Sequence, residues 1–298
     1  MENVEIQKSV CLVCSSEPLK DKGSRLLGVF FCRECNVFTT LENADPRAYQ
    51  EGNYSHYKAS FFEKCIIRLN NLNQIKIVRG LPITTWLDFG CGKGLFLKAL
   101  DRHFGVVGWE ADNARASSAR KENPEVEVLD AILSSEHGNQ IGNRRFDVIS
   151  LMHVLEHLDD LSVVDNLAKH YLSKNGRFLI EVPNINSFQA GLAGNRWLHL
   201  DLPIHRTHWG MNGLDQFFLS LGFVRERQST FSLTEGVFGM ADTLFFHSAG
   251  QSIYSFLKGG LLNKTVALPV LVIAAFFEIL TSLLGRGGVL RVVYRRNV

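Results

Sequence analysis

Four of the six cysteines fall into two tight pairs, Cys11-Leu-Val-Cys14 and Cys32-Arg-Glu-Cys35, with 17 residues between them. Each C-x-x-C turn offers two sulfurs to one ion, and two such turns complete a tetrahedron, so the spacing points to a four-thiolate zinc site rather than a redox pair. Four protein ligands leave no position open to water, which makes such a metal structural. Cys65 and Cys91 stand alone and read as small buried hydrophobes.

A second chemical signal is TTWLDFGCGKGLFLKAL, in which an apolar run ends at Asp88 and passes through Gly90, Cys91, Gly92 and Gly94 into a helical pattern. Glycines in such a turn admit positive φ and let backbone N–H groups approach a ligand closely. The dinucleotide fingerprint would need its third glycine where Leu95 stands, and a phosphate loop would end in G-K-[ST], so neither fits. Two acids follow in order. Glu110 closes GVVGWEA 22 residues after Asp88, where a carboxylate at a strand's end can accept both hydroxyls of a ribose. Asp130 closes VEVLDA 20 residues later, in reach of an adenine amino group. Ligands of open α/β sheets bind along these carboxyl edges.

HVLEH, residues 153 to 157, has the H-x-x-E-H form of one class of metallopeptidase helix. That chemistry requires both histidines on one face of a long helix and a third ligand elsewhere. Here the motif directly follows the apolar run FDVISLM, at a sheet edge the glycine loop already occupies, so Glu156 and His157 are expected to orient a loop or cap a helix.

These groups need elements to hold them. From Thr85 to Pro183 short apolar runs alternate with helical patterns, which predicts a parallel sheet covered on both faces. FVRERQSTF and VLRVVYRR supply a sixth and a seventh strand, giving an α/β, doubly wound, mostly parallel sheet. The expected organisation is a zinc ribbon over 1–40, a linker and an apolar-faced helix over 41–81, the main domain over 82–231, an apolar helical insertion over 232–288, and the last strand over 289–298. The chain of 298 residues, 46% hydrophobic and 21% charged, can bury a sizeable core, which argues against disorder and a multi-span membrane bundle. Net charge is +2. Residues 1 to 40 balance five basic against five acidic side chains, which argues against nucleic acid as a partner, although a zinc-ribbon RNA-binding protein is the alternative from a different class. The charged N-terminus does not read as a secretory signal, and sparse paired thiols suit a reducing cytoplasm.

LDFGCGKG, GWEAD, LDA and FDVISLMHVLEHLDD, followed by LSKNGRFLIEVPN, resemble in order the motifs of class I S-adenosylmethionine-dependent methyltransferases, over about residues 60 to 231. The resemblance implies a Rossmann-like domain in which Asp88, Gly90, Cys91, Gly92 and Gly94 hold the methionine end of the cofactor. It places Glu110 on the ribose, Asp130 with Ala131 on the adenine, and Met152 with His153 on the substrate side. A thiolate ribbon ahead of such a domain is similar to bacterial sugar methyltransferases. VPNINSFQAGLAGNRWLHLDLPIHRTHW is similar to a segment linked to cell-envelope glycan biosynthesis, where a P-x-H-x element, here Pro203-Ile204-His205-Arg206, follows a tryptophan. A saccharide or lipid-linked glycan precursor, methylated on oxygen, is the implied substrate, with quinone O-methylation second. O-methylation calls for a base titrating near neutrality, for which His153 and His205 are the candidates, while His199 and His208 read as loop-ordering.

Residues 265–285, TVALPVLVIAAFFEILTSLLG, carry one charge, Glu278, and are long enough to cross a bilayer. Ala267, Leu271, Ala274, Glu278 and Thr281 recur at steps of three or four as a small or polar stripe. Lys258 and Lys264 precede the segment, and Arg286, Arg291, Arg295 and Arg296 follow it. Positive charge on both flanks, with a strand of the sheet beyond, favours a helix in the plane of the membrane at residues 250–285 over a crossing. A buried soluble helix is the other option. The expected location is cytoplasmic, peripheral on the inner membrane.

Overall fold

The computed structural model describes residues 10–16, 26, 28–41, 61–130, 141–246, 253–257 and 261–297. The described elements are, in order, β1 (Val29–Cys32), β2 (Val37–Thr40), α1 (Phe61–Lys76), β3 (Thr85–Phe89), α2 (Leu97–Leu100), β4 (Gly105–Trp109), α3 (Asn113–Glu122), β5 (Glu127–Leu129) and β6 (Phe146–Met152). Then come α4 (Ser162–His170), β7 (Leu172–Pro183), α5 (Phe188–Ala193), β8 (Thr207–His208), α6 (Met211–Ser220), β9 (Phe223–Ser229), α7 (Glu235–Ala241), α8 (Ile253–Leu257), α9 (Leu261–Leu283) and β10 (Val289–Arg296).

All seven expected strands form one sheet, in the order β5-β4-β3-β6-β7-β10-β9, with β10 antiparallel to both neighbours and the remaining pairs parallel. Leu87, Ile149 and Phe178 to Ile180 are wholly buried, because strands covered on both faces can be apolar throughout. From β3 the chain runs outward through β4 and β5, then returns to place β6 on the other side of β3. That reversal opens a crevice at the carboxyl ends of β3 and β6.

A smaller antiparallel sheet, β1-β2-β8, joins the cysteine hairpin to the main domain. Phe38 pairs with His208 and Thr39 with Thr207. Gly213 of α6 makes the approach possible, since a Cβ there would lie 2.5 Å from the Asn36 carbonyl oxygen.

Helix α1 departs from the expected pattern. Its exposed residues include Leu69, Leu72 and Cys65, and its buried face is polar: Asn70, Asn71 and Gln74. The cause is what it covers. Asn70 accepts from Leu233 N–H (3.0 Å), Asn71 donates to Leu95 O (2.9 Å) and Gln74 donates to Glu181 (3.0 Å), so the helix supplies partners to loops and to a buried acid. The reading of Cys65 as buried is thereby corrected.

On α9 the predicted stripe is the buried side, with Ala267, Ala274 and Glu278 at 0% exposure, and α7 packs along the same helix. Gly236 of α7 lets Glu278 approach, since a Cβ there would meet Oε1 at 2.3 Å; the same oxygen accepts from Gly288 N–H (2.8 Å). Its opposite face, from Val266 to Leu283, is apolar and exposed, Phe276 at 59% and Leu283 at 79%. One sequence expectation about its flank fails: Arg291 is buried against Glu181, so it adds nothing to the basic surface.

Candidate active site

The glycine loop follows β3 at the crevice. Gly90, Gly92 and Gly94 hold φ of +74°, +56° and +78°, the left-handed region in which a side chain is strained. Gly90 and Cys91 both donate to the Trp109 carbonyl (2.7 and 3.0 Å), which fixes the loop to the end of β4. Gly94 packs on α3, where a Cβ would lie 3.1 Å from Ala119 Cα. Gly92 alone of the three faces open space, with nothing within 4 Å of its Cβ direction. Its N–H donates to Glu110 Oε2 (2.8 Å), and Glu110 Oε1 accepts from Asp112 N–H (3.0 Å).

Glu110 N–H donates to Leu129 O (2.9 Å), so Glu110 and Asp130 stand at adjacent strand ends on one rim. Asp130 is exposed and pairs with Arg120 (3.0 Å), itself fastened to Val128 O. Ala131 lies outside the described residues. Asp88 is buried and accepts from Ser150 Oγ (2.6 Å); burial pushes its carboxyl up to about 7, opposed by the Ser150 bond and helped by the charge of Glu110. Cys91 is buried, which raises its thiol pKa and keeps it neutral.

Across the crevice β6 ends at Met152, opposite Glu181 of β7, which in turn opposes Arg291 of β10. His153 turns the chain with φ +56° and donates its N–H to Glu181 O (2.8 Å). The next residue, Val154, lies against the glycine loop: a Cβ on Gly90 would be 2.4 Å from Val154 Cγ2. The two motifs, with Gly90 and Val154 64 residues apart in sequence, thus share a contact.

His153 Nε2 is 3.2 Å from Glu181 Oε1, and its Nδ1 is 3.4 Å from Glu156 Oε1. Burial favours the neutral ring, but the two carboxylates outweigh it and raise the imidazole well above its ordinary range. Glu181 also accepts from Arg291 Nε and Gln74; against the upward push of burial, Arg291 and His153 hold it at about 2. Sequence reasoning did not point to Glu181, and it placed Arg291 only among the basic residues after the apolar segment. The available signal was a lone acid in the apolar run FLIEVP and a lone base in VLRVV, one of which must compensate the other if both strands are central.

His205 lies on the loop before β8 and is 7% exposed; its Nδ1 is 2.9 Å from His199 O, and burial holds its pKa down at about 4. Thr40 of β2 hydrogen-bonds the His205 carbonyl through Oγ1, which also lies 3.0 Å from His208 Nε2. His199 reaches Glu235 O (2.9 Å), so His199 and His208 tie loops together. HVLEH forms no long helix: Leu155–His157 is a single 3-10 turn, and the α4 start is served by Asp160, which accepts from Ser162.

Away from the crevice, the four paired cysteines converge. Cys11 Sγ is 3.4 Å from Cys35 Sγ, Cys14 Sγ is 3.5 Å from Cys32 Sγ, and all four sulfurs lie within 4.8 Å of one another. Tetrahedral zinc with bonds near 2.3 Å spaces its sulfurs about 3.8 Å apart, so the set fits that ion. Contact with Cys11, together with burial, pushes the Cys35 thiol up, so a cation is needed for all four to ionise.

A seven-stranded sheet with one reversed strand, a left-handed glycine loop at the switch point and an acid on the next strand define a class I S-adenosylmethionine-dependent methyltransferase. A family model described as a methyltransferase domain matches residues 31–226, and the chain belongs to that family. Among solved structures, it is similar to a SAM-dependent methyltransferase from Archaeoglobus fulgidus, with 17% identity over 78% of this chain and 94% of that one and a TM-score of 0.50. It is also similar to the cyclopropane synthase MmaA2 from Mycobacterium tuberculosis, with 16% identity, 84% and 93% coverage and a TM-score of 0.47. Curated proteins gave no match.

Proposed function

We propose that the protein methylates a hydroxyl of a saccharide or lipid-linked glycan precursor at the cytoplasmic face of a membrane. The observation that carries this reading is the acceptor side of the crevice, where His153, Glu156, His157 and His205 gather polar groups suited to a hydroxylated ligand. On the same domain the apolar face of α9 stays exposed, and in the sequence Lys258, Lys264 and Arg286 lie around that segment, which suits an anionic bilayer surface. The chain re-enters the sheet at Val289, six residues after α9 ends, which supports an in-plane helix over a crossing.

S-adenosylmethionine, when bound, supplies a methyl carbon already activated on a sulfonium. In this reading Asp88 and the turn from Gly90 through Cys91 and Gly92 to Gly94 seat its methionine end, Glu110 its ribose, and Asp130 with Ala131 its adenine. Gly92 fits that task because its open side leaves room for a ligand. Met152 and His153 line the acceptor side. Of the two candidate bases, His205 is neutral with Nδ1 engaged and Nε2 free, whereas His153 sits as an imidazolium between two carboxylates and orients the turn. Alignment of nucleophile, carbon and sulfur then supplies most of the rate. A structural zinc on Cys11, Cys14, Cys32 and Cys35 holds the hairpin that backs the His205 loop.

The test is incubation with methyl-labelled cofactor and separated membrane and soluble extracts. Label is expected in lipid-extractable glycan; label confined to protein or RNA overturns the reading. Label in quinones would favour the second candidate, for which the exposed face of α9 also speaks. Flotation with anionic vesicles is expected for the intact chain and not after deletion of 250–285; equal flotation of both removes the membrane assignment.

A further inference from the structure

We propose that Glu156, His157 and His205 form a divalent-cation site on the acceptor side of the crevice. One ligand atom from each residue lies within 4.8 Å of the other two. The ligand atoms of a first-row cation stand roughly 3–4 Å apart, so side-chain shifts of about 1 Å close the site.

Three observations make this more than proximity. Glu156 is 1% exposed, yet among the described residues neither carboxylate oxygen receives a hydrogen bond; His153 Nδ1 reaches only ion-pairing distance, 3.4 Å from Oε1. A buried carboxylate with empty lone pairs is costly to fold, and a cation satisfies it. Both imidazoles are already set as ligands. His157 Nδ1 lies 3.4 Å from Ile204 O and His205 Nδ1 lies 2.9 Å from His199 O. A carbonyl only accepts, so each Nδ1 carries the proton and each Nε2 keeps its lone pair, the arrangement that orients metal-binding histidines. Finally, the two loops are clamped together by backbone: Arg206 N–H donates to Glu156 O at 2.7 Å.

Two nitrogens and one carboxylate suit zinc, manganese, iron or cobalt and leave coordination positions free for an oxygen of the acceptor. This is not the arrangement H-x-x-E-H suggests by itself, because His153 faces Glu181 and the second nitrogen comes from His205 instead. With a cation bound, His205 serves as a ligand and not as the proton acceptor. That last consequence rests on the acceptor side as read above, whereas the site itself does not.

Manganese is the probe, since the four thiolates prefer softer ions. The purified full-length chain is titrated with Mn2+ while the free-ion electron paramagnetic resonance signal is followed. One equivalent is expected to bind, about tenfold or more weaker in Glu156→Gln and in His157→Ala, and unchanged in Gly92→Arg on the other side of the crevice. Glu156→Gln keeps the size and shape of the side chain and His157 sits at the surface end of the cluster, so at least one variant remains folded, as circular dichroism would verify. No binding, or binding as tight as the wild type's in both ligand variants, overturns the site. None of these readings involves methyl transfer, so the failure of one proposal is separable from that of the other.

Discussion

The two sides of the crevice are built in different ways. On the glycine side most of the groups lie within one stretch, Asp88 to Glu110, with Asp130 and Ser150 added from the neighbouring strands, and many of the contacts are local: Gly90 and Cys91 to Trp109, and Gly92 to Glu110. On the histidine side the groups come from separate parts of the chain: Thr40, Gln74, the turn from His153 to His157, Glu181, His205 and Arg291. The first side is shaped by backbone dihedrals and by strands and a helix that adjoin it in the sheet. The second is held by tertiary contacts, one of which reaches back to the cysteine hairpin. Damage to the first should therefore abolish cofactor binding alone, and damage at a distance should reach only the second.

The largest effect expected is from Gly92→Arg. A side chain at φ +56° costs about 1–3 kcal/mol, and it would project into the space that the loop leaves open. Calorimetry should show affinity for S-adenosylmethionine falling by about 100-fold or more, equivalent to roughly 2.7 kcal/mol, while Mn2+ binding and the thiolate site are unaffected. Unchanged cofactor affinity would place the binding site elsewhere and erase the contrast between the two sides.

Next in size is Cys35→Ser. Strand β2 follows the second cysteine pair directly and delivers Thr40 to the His205 carbonyl and to His208, whereas no described contact links the hairpin to residues 90–94. Loss of the metal should loosen that pairing and displace the His205 loop. A misplacement of about 1 Å costs up to about 100-fold in rate, so kcat is expected to fall by roughly 10- to 100-fold with the cofactor Kd within about twofold of wild type. Chelation of the wild-type protein should reproduce the split. An equal loss of cofactor affinity would show that the hairpin supports the whole domain and not one side.

The same contrast governs what the sequence revealed. The glycine side was legible because its determinants are local: alternating apolar runs set the strands, and Gly90, Gly92 and Gly94 announce their own dihedrals. The acceptor side was legible in part. His153 and His205 stood out as imidazoles near strand ends, but their opposite charge states depend on Glu156 and Glu181 beside the first and on burial of the second, and no local pattern records that Glu181 meets both His153 and Arg291. HVLEH misleads for the same reason, since its spacing suggests a helix and tertiary structure imposes a left-handed residue and a 3-10 turn. Apolar periodicity predicts helix α1, yet its buried Asn70, Asn71 and Gln74 answer to polar groups on other elements that the helix's own sequence does not contain.

The smallest predicted effect sharpens the comparison from within the glycine side. Burial raises Asp88 from an ordinary value of 3.8 to about 7, so the folded protein without ligand retains a proton there across that interval. A raised carboxylate pKa means the native state binds more protons than the unfolded chain, so this contribution to stability is complete below about pH 4 and is lost as pH rises to 7. The cofactor brings a sulfonium and an ammonium, which favour the ionised carboxylate beside them; binding therefore lowers the pKa and expels the proton. Affinity should rise about three- to tenfold from pH 5.5 to 8 and level off above 7, with proton release visible as a dependence of the binding heat on buffer ionisation enthalpy. Asp88→Asn should bind more weakly at pH 8 but with a flat profile. If the wild type is also flat, Asp88 does not sense the cationic end of the cofactor, and the part of the loop it supports must face another portion of the ligand.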